Sequence, residues 1–212
     1  MEKIITIEEF EQKFGIKLPK KYHEIYNTGA MEWLKYDYEW LKAHYEEVKS
    51  NPQSFFFTVL GDCEPLPFSE VRNSIDYMLD ILSWDDDFKS GKVTLNPKYR
   101  FIPFAQTGGG DVYCFMYEDV KAEPKIIIFD HESVELRLWA KDFDKFLYRS
   151  LLESIVHYDV EFATPCIIEH IKFLKAEYKK VFEDKDIDTM KATLQKFSVI
   201  ETVEFLVKNK GN

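Results

Sequence analysis

Two short clusters in this chain carry side chains suited to chemistry. Gly108-Gly109-Gly110-Asp111 lies between two β-rich runs, where three glycines permit positive φ and close approach by another backbone. Such a turn is either a ligand-facing loop or anion nest, or a tight hairpin whose Asp111 bonds to the turn backbone. It does not match a phosphate loop, because no Gly-Lys-Ser/Thr follows and the next element reads as a strand. Asp130-His131-Glu132 closes a later strand and can approach Asp111 or Cys114 across a meander, which would permit an Asp-His or Cys-His couple. Cys114 sits among Tyr113, Phe115 and Met116, the setting of an inert core thiol. A hydrolytic or small-molecule-binding role for Asp111, His131 and Cys114 predicts one concave pocket enclosing all three.

The remaining candidates are weaker. Asp184-Lys185-Asp186-Ile187-Asp188 opens like a calcium loop, but its sixth position is Thr189 and its twelfth Gln195. An acid-rich helix start, favoured by the helix dipole, accounts for it. Asp85-Asp86-Asp87 reads as a solvated acidic loop, able to hold a divalent ion or to meet a basic partner. His23, His44, His131, His157 and His170 include no His-x-x-x-His pair. Cys63, Cys114 and Cys166 are spaced as neither a disulfide framework nor a zinc pair. No Gly-x-Ser-x-Gly elbow, dinucleotide fingerprint or zincin helix is present. The expectation is a protein that is no enzyme, with no cofactor and no metal.

Charge narrows the partners. Among 212 residues, 28 Lys and Arg stand against 38 Asp and Glu, a formal net charge of −10. Such a surface repels phosphate backbones, so no nucleic acid is expected. It steers toward a cationic protein, and it also serves solubility. The longest apolar runs, such as Ile126-Ile127-Ile128-Phe129, fall far short of the roughly 20 residues of a membrane helix. The opening turns acidic before a signal-peptide core can form. With an odd number of cysteines, the expectation is a cytoplasmic protein that engages no membrane. Asp85, Asp86, Asp87 and Asp111 are the partner-contacting residues that charge and exposure nominate.

Positioning these residues falls to an α+β fold. Thr6 and Glu9 form a capping box, with Ile5 and Phe10 placed as a staple, and Gly15 ends that helix. Tyr22, Ile25 and Tyr26 continue at helical spacing after Leu18-Pro19. Residues 30–49 read as one helix with Trp33, Asp37, Trp40, His44 and Val48 near one face. It is crowded with Trp33, Tyr36, Tyr38, Trp40 and Tyr45, whose outer members would be interface anchors if exposed. Phe55 to Leu60 predicts a strand with a Gly61-Asp62 turn, and Val71, Ile75, Met78, Leu79 and Leu82 predict a helix. Phe101 to Ala105, Asp111 to Tyr117, Lys125 to Phe129 and Val134 to Trp139 predict strands. Their short connections make the sheet an antiparallel meander of four to five strands flanked by helices. Asp142 and Thr164-Pro165 start further helices. Beyond Asp184, Met190, Leu194 and Phe197, then Val199, Val203 and Leu206, extend the helical pattern. This divides the chain into an α+β domain over 1–160 and a helical extension over 161–212 packed on it.

The order of these motifs resembles the SUKH superfamily, which includes the yeast regulator of glucan synthesis and killer-toxin resistance and many bacterial immunity proteins. The resemblance is carried by Phe10 and Phe14, Gly15-Ile16-Lys17-Leu18-Pro19, Tyr22, Asn27-Thr28-Gly29, Ile102-Pro103-Phe104-Ala105, Gly110-Asp111, His131-Glu132 and Phe143 to Leu147. It implies an α+β fold and a role in binding proteins without catalysis. In bacteria that role is neutralising a toxin domain, often a nuclease, by covering its active site; a regulatory scaffold of the yeast type is the alternative. The aromatic stretch at 30–49 and the helices after 160 depart from the family pattern.

Overall fold

The computed structural model describes residues 4–59, 63–157, 160–161, 164–197 and 201–209. Helix α1 (Ile7–Phe14) starts where the Thr6 hydroxyl accepts from the Glu9 N–H at 3.2 Å and the Glu9 carboxylate accepts from the Thr6 N–H at 2.9 Å. It ends at Gly15, whose φ of 57° is the left-handed cap that glycine adopts freely. Pro19 then opens α2 (Lys20–Asn27), which buries Tyr22 and Ile25.

The aromatic stretch is not one helix. A 3-10 turn, Glu32–Lys35, precedes α3 (Tyr38–Ser50), which restarts behind Asp37. The Asp37 carboxylate accepts from the Trp40 N–H at 2.9 Å, so this residue is a cap rather than part of a helical face. The break turns Trp33 inward onto Phe56, while Tyr36, Trp40 and His44 stack along α3 with ring centroids 4.0 and 4.3 Å apart.

The strand expected at Phe55 to Leu60 does not form. The Phe55 N–H donates to the Ala30 carbonyl, and the Val59 N–H to the Ser154 hydroxyl. The run is apolar because Phe55 and Phe57 insert rings into the core, where Phe57 meets Phe104, Phe143 and Phe146 edge-on. Leu60 and the Gly61-Asp62 turn lie outside the described residues.

Next come β1 (Glu64–Pro65), α4 (Val71–Leu82), α5 (Asp86–Lys89) and β2 (Val93–Leu95). The meander follows as β3 (Arg100–Gln106), β4 (Val112–Tyr117), β5 (Lys125–Asp130) and β6 (Glu135–Ala140). Val134, expected in the last strand, instead closes the preceding turn at φ 55°. Helices α6 (Phe143–Val156), α7 (Pro165–Ile171), α8 (Ala176–Glu183) and α9 (Ile187–Gln195) lead to β7 (Glu201–Thr202) and β8 (Leu206–Lys208). The main sheet is antiparallel throughout, in the order β1-β3-β4-β5-β6-β7, and β2 pairs with β8 in a second sheet. The two edge strands are two residues each, too short to show in a sequence pattern.

Both faces of the sheet are covered, which is why its strands read as continuous apolar runs. Tyr113, Phe115, Tyr117, Ile126 and Ile128 join the large core beneath α1, α2 and α6. Their alternates Val112, Cys114, Met116, Ile127 and Phe129 pack against Met78, Ile81 and Leu82 of α4 and against Phe205. Each such buried side chain contributes about 2 kcal/mol.

The C-terminal segment departs from the helical pattern after Gln195. Val203 and Leu206 belong to extended chain: the Val203 N–H donates to the Leu136 carbonyl, and Leu206 opens β8. Val199 lies outside the described residues. Buried Arg149 ties this segment to the body, donating to Glu153 at 2.8 Å, to the Trp139 carbonyl at 3.1 Å and to the Phe197 carbonyl at 3.4 Å. Its guanidinium lies 3.3 Å from the Trp139 ring centroid.

Candidate partner-binding groove

A groove of about 570 Å³ opens between α3, the segment following β1, α4 and the β3–β4 hairpin. Helix α3 contributes Tyr38, Leu41, Lys42 and Tyr45, the i, i+3, i+4, i+7 positions of one face. Helix α4 and its N-cap contribute Glu70, Asn73, Ser74 and Tyr77 with the same spacing. The opposite stripe of α4, which includes Val71, Met78 and Leu82, is core. One helix therefore serves the core with one face and the groove with the other.

Tyr38 and Tyr77 are 52% and 41% exposed, among the few large apolar side chains that face solvent. Deeper in, the Tyr45 hydroxyl donates to the Glu64 carboxylate. Burial and that carboxylate push the Tyr45 hydroxyl above its usual range, so it stays protonated as a donor. Glu70 accepts from Asn73 Nδ2 at 2.8 Å and from the Ser69 hydroxyl at 3.2 Å.

The glycine hairpin closes one end of the groove. The Thr107 N–H donates to the Asp111 carbonyl, and the Thr107 hydroxyl accepts from the Asp111 N–H at 3.0 Å. The turn is therefore pinned by Thr107. The Asp111 carboxylate does not bond to its own turn but crosses to the next hairpin, accepting from the His131 N–H at 3.1 Å and from His131 Nδ1 at 2.8 Å. Asp111 holds the His131 imidazole above its usual pKa. Gly110 sits at φ 102°, which strains any other residue, and a Cβ there would crowd the Tyr77 hydroxyl at 3.1 Å and touch the His131 ring at 3.6 Å.

The Asp-His couple thus forms, but Cys114 is not part of it. Its thiol points to the other side of the sheet, 3.7 Å from the Met78 sulfur, and burial pushes its pKa up. A single pocket enclosing Asp111, His131 and Cys114 is not what the fold builds.

The acidic triplet is not a loop. Asp85 caps α5, accepting from the Phe88 N–H at 2.9 Å, and Asp87 pairs with Lys92 at 2.9 Å. Asp86 in the first turn of α5 is exposed. These residues follow the C-terminal end of α4 and do not line the groove, whereas Asp111 adjoins it through Gly110. Sequence reasoning did not find Tyr77, Glu64, Glu70 or Trp84, the last 73% exposed immediately before the triplet. The polar stripe complementary to the apolar face of α4 was the available signal for Glu70, Asn73 and Tyr77. Among the described residues no group of three His, Cys, Asp or Glu can hold a metal, and no helix is long and apolar enough to cross a membrane.

An antiparallel meander, covered on both faces and opening on a groove beside its β1 edge, defines an α+β protein. The model of the SMI1 / KNR4 family (SUKH-1) matches residues 4–149, and the chain belongs to that family. None of the curated proteins and none of the solved structures matches it. The matched span holds every residue that lines the groove, together with the Asp111–His131 couple.

Proposed function

We propose that this chain is a cytoplasmic protein-binding module that occludes a cationic protein, in the manner of immunity proteins that neutralise a toxin domain, and catalyses nothing. The observation that carries this reading is the groove flanked by exposed Tyr38 and Tyr77, since exposed aromatics beside a concave surface are the residues that anchor protein interfaces. A net charge of −10 supports attraction to a basic target. Asp85, Asp86 and Asp87, with Trp84 beside them, and Asp111 at the hairpin would extend the contact beyond the groove.

The test is binding to the product of the adjacent gene. Association is expected to slow markedly between low and high salt, and Tyr38→Ala with Tyr77→Ala to speed dissociation by about thirtyfold, the loss of an interface hot spot. Co-expression should relieve that product's toxicity. An association rate indifferent to ionic strength, or substrate turnover by the purified chain that one substitution abolishes, would overturn the proposal.

A further inference from the structure

Several carboxylates among the described residues are paired with a Lys or Arg. Glu11 has Lys17, Asp87 has Lys92, Glu118 has Lys98 and Lys125, Asp130 has Arg137, and Asp144 has Lys175. Glu64 and Glu70 line a concave surface, are half-buried, and have no Lys or Arg within 4 Å among the described residues. Their partners are neutral: the Tyr45 hydroxyl for one, the Asn73 amide and Ser69 hydroxyl for the other. Each neutral donor orients its carboxylate and leaves acceptor positions open, since an ionised carboxylate offers about four. Lys42 is the cation of the lining, and it is exposed on α3. Two carboxylates thus face one cation within the lining, and Lys49, which donates to the Tyr45 hydroxyl at 3.4 Å, stands behind that tyrosine without reaching either carboxylate within 4 Å.

The remaining lining is apolar and aromatic. Pro65, Leu66 and Pro67 give a surface for a hydrocarbon stem, and the rings of Tyr38, Tyr45 and Tyr77 offer π faces. A partner strand added to the edge of the sheet is disfavoured here. The Leu66 N–H is spent inward on the Phe104 carbonyl, and Pro65 brings no N–H to the ladder. Recognition at this edge falls to a side chain.

We infer that the groove seats one arginine side chain of the partner protein, its guanidinium on Glu64 and Glu70 and its stem along Pro65 to Pro67 between the tyrosines. This rests on the proposed protein-binding role and specifies what it recognises. Arginine fits better than lysine because its planar fork bonds carboxylates bidentately and stacks on aromatic rings, while ammonium does neither.

The probe is N-acetyl-arginine amide, titrated into the full chain and followed by amide chemical shifts. Neutral N-acetyl-citrulline amide and N-acetyl-lysine amide serve as comparisons. Expected are shifts centred on Tyr38, Glu64, Glu70 and Tyr77, several-fold weaker binding of the lysine compound, none by citrulline, and about a tenfold loss in the Glu64→Gln/Glu70→Gln variant. Both substitutions preserve shape, and an unchanged thermal midpoint confirms the fold. Equal binding of citrulline or lysine, shifts elsewhere, or binding that survives the double substitution overturns the inference. Partner capture separates the two proposals. If Tyr77→Ala weakens capture while Glu64→Gln/Glu70→Gln leaves it unchanged, the arginine reading falls and the protein-binding role stands. If the tyrosine variants also bind the partner normally, the groove falls as a docking surface.

Discussion

His170 projects from α7 into the core, 2% exposed, with its ring 4.3 Å from that of Phe55. Nε2 lies 3.1 Å from the Ser54 carbonyl and so carries the proton, while buried Nδ1 has no partner. Burial drives the imidazole pKa down to about 4, outweighing the Ser54 carbonyl and Glu169, which both favour the cation. An unfolded histidine titrates near 6.5. Between these values the unfolded chain binds a proton that the folded chain refuses, so stability is full above pH ~6.5 and falls as pH drops toward 4. Within that window the slope approaches about 1.4 kcal/mol per pH unit, and the whole loss is on the order of 3 kcal/mol, a large share of a typical 5–15 kcal/mol. The raised pKa of His131 works above 6.5, and the lowered carboxyl pKa values of Glu11 and Asp130 act toward lower pH. Burial raises the Glu123 carboxyl, which opposes the trend at the acid end. All of these act alike in wild type and variant, so the difference between the two proteins isolates His170. His170→Gln keeps an N–H for the Ser54 carbonyl but cannot titrate. Urea unfolding at pH 7, 6, 5 and 4.5 should show the wild-type free energy falling more steeply than the variant's. Parallel slopes for the two proteins would refute the reasoning.

Three further outcomes follow from the same contacts. Arg149→Ala removes the buried guanidinium that pairs with Glu153 and donates to the Trp139 and Phe197 carbonyls, so it should cost about 3–5 kcal/mol in urea unfolding. Gly110→Ala places a Cβ at φ 102° and 3.1 Å from the Tyr77 hydroxyl; calorimetry should show about 1–3 kcal/mol of destabilisation, and aromatic shifts should show Tyr77 displaced. Asp111→Asn removes the charge that holds the His131 proton, and an NMR titration should find the His131 pKa returning downward toward 6.5.

What was legible in the sequence depended on how far apart the interacting groups lie. The Thr6–Glu9 box, the Gly15 cap, the Asp142 cap and the Thr164-Pro165 start each involve residues within a turn of one another, and each stands where its pattern put it. The four meander strands were visible because buried β-branched and aromatic runs alternate with short turns. Phe55 to Val59 has the composition of a strand, but its backbone partner at one end is the Ser154 hydroxyl, 95 residues away. Val203 and Leu206 fit a helical interval equally well, and pairing with distant strands decides against it. The groove was hidden for a similar reason. Tyr45 and Glu64 are 19 residues apart, and nothing local marks Glu64 as anything but solvated. Asp111 and His131 were recognisable as neighbours, because meander register brings successive hairpin ends together. The direction of the Asp111 carboxylate was not, since the Thr107 hydroxyl took the role expected of it within the turn.

Where a partner can approach follows from what the C-terminal segment already covers. Strand β7 pairs with β6, closing the sheet edge opposite β1. Phe205 lies on the sheet face shared with α4, α9 packs on α6, and α7 drives His170 against Phe55. Arg149, at the last residue of the family match, joins the two parts by reaching the Phe197 carbonyl. The segment beyond the match thus occupies the far edge, part of one face and the outer side of α6. Among the described residues it contributes nothing to the groove at the β1 edge, where Pro65 blunts strand addition and the exposed tyrosines of α3 and α4 share a lining with Glu64 and Glu70. If recognition runs through that edge, substitutions that loosen the extension, such as Arg149→Ala, should lower stability without altering partner affinity at temperatures where the chain stays folded. Tyr77→Ala should do the reverse, lowering affinity at unchanged stability, because its ring is exposed and its loss opens no cavity in the core.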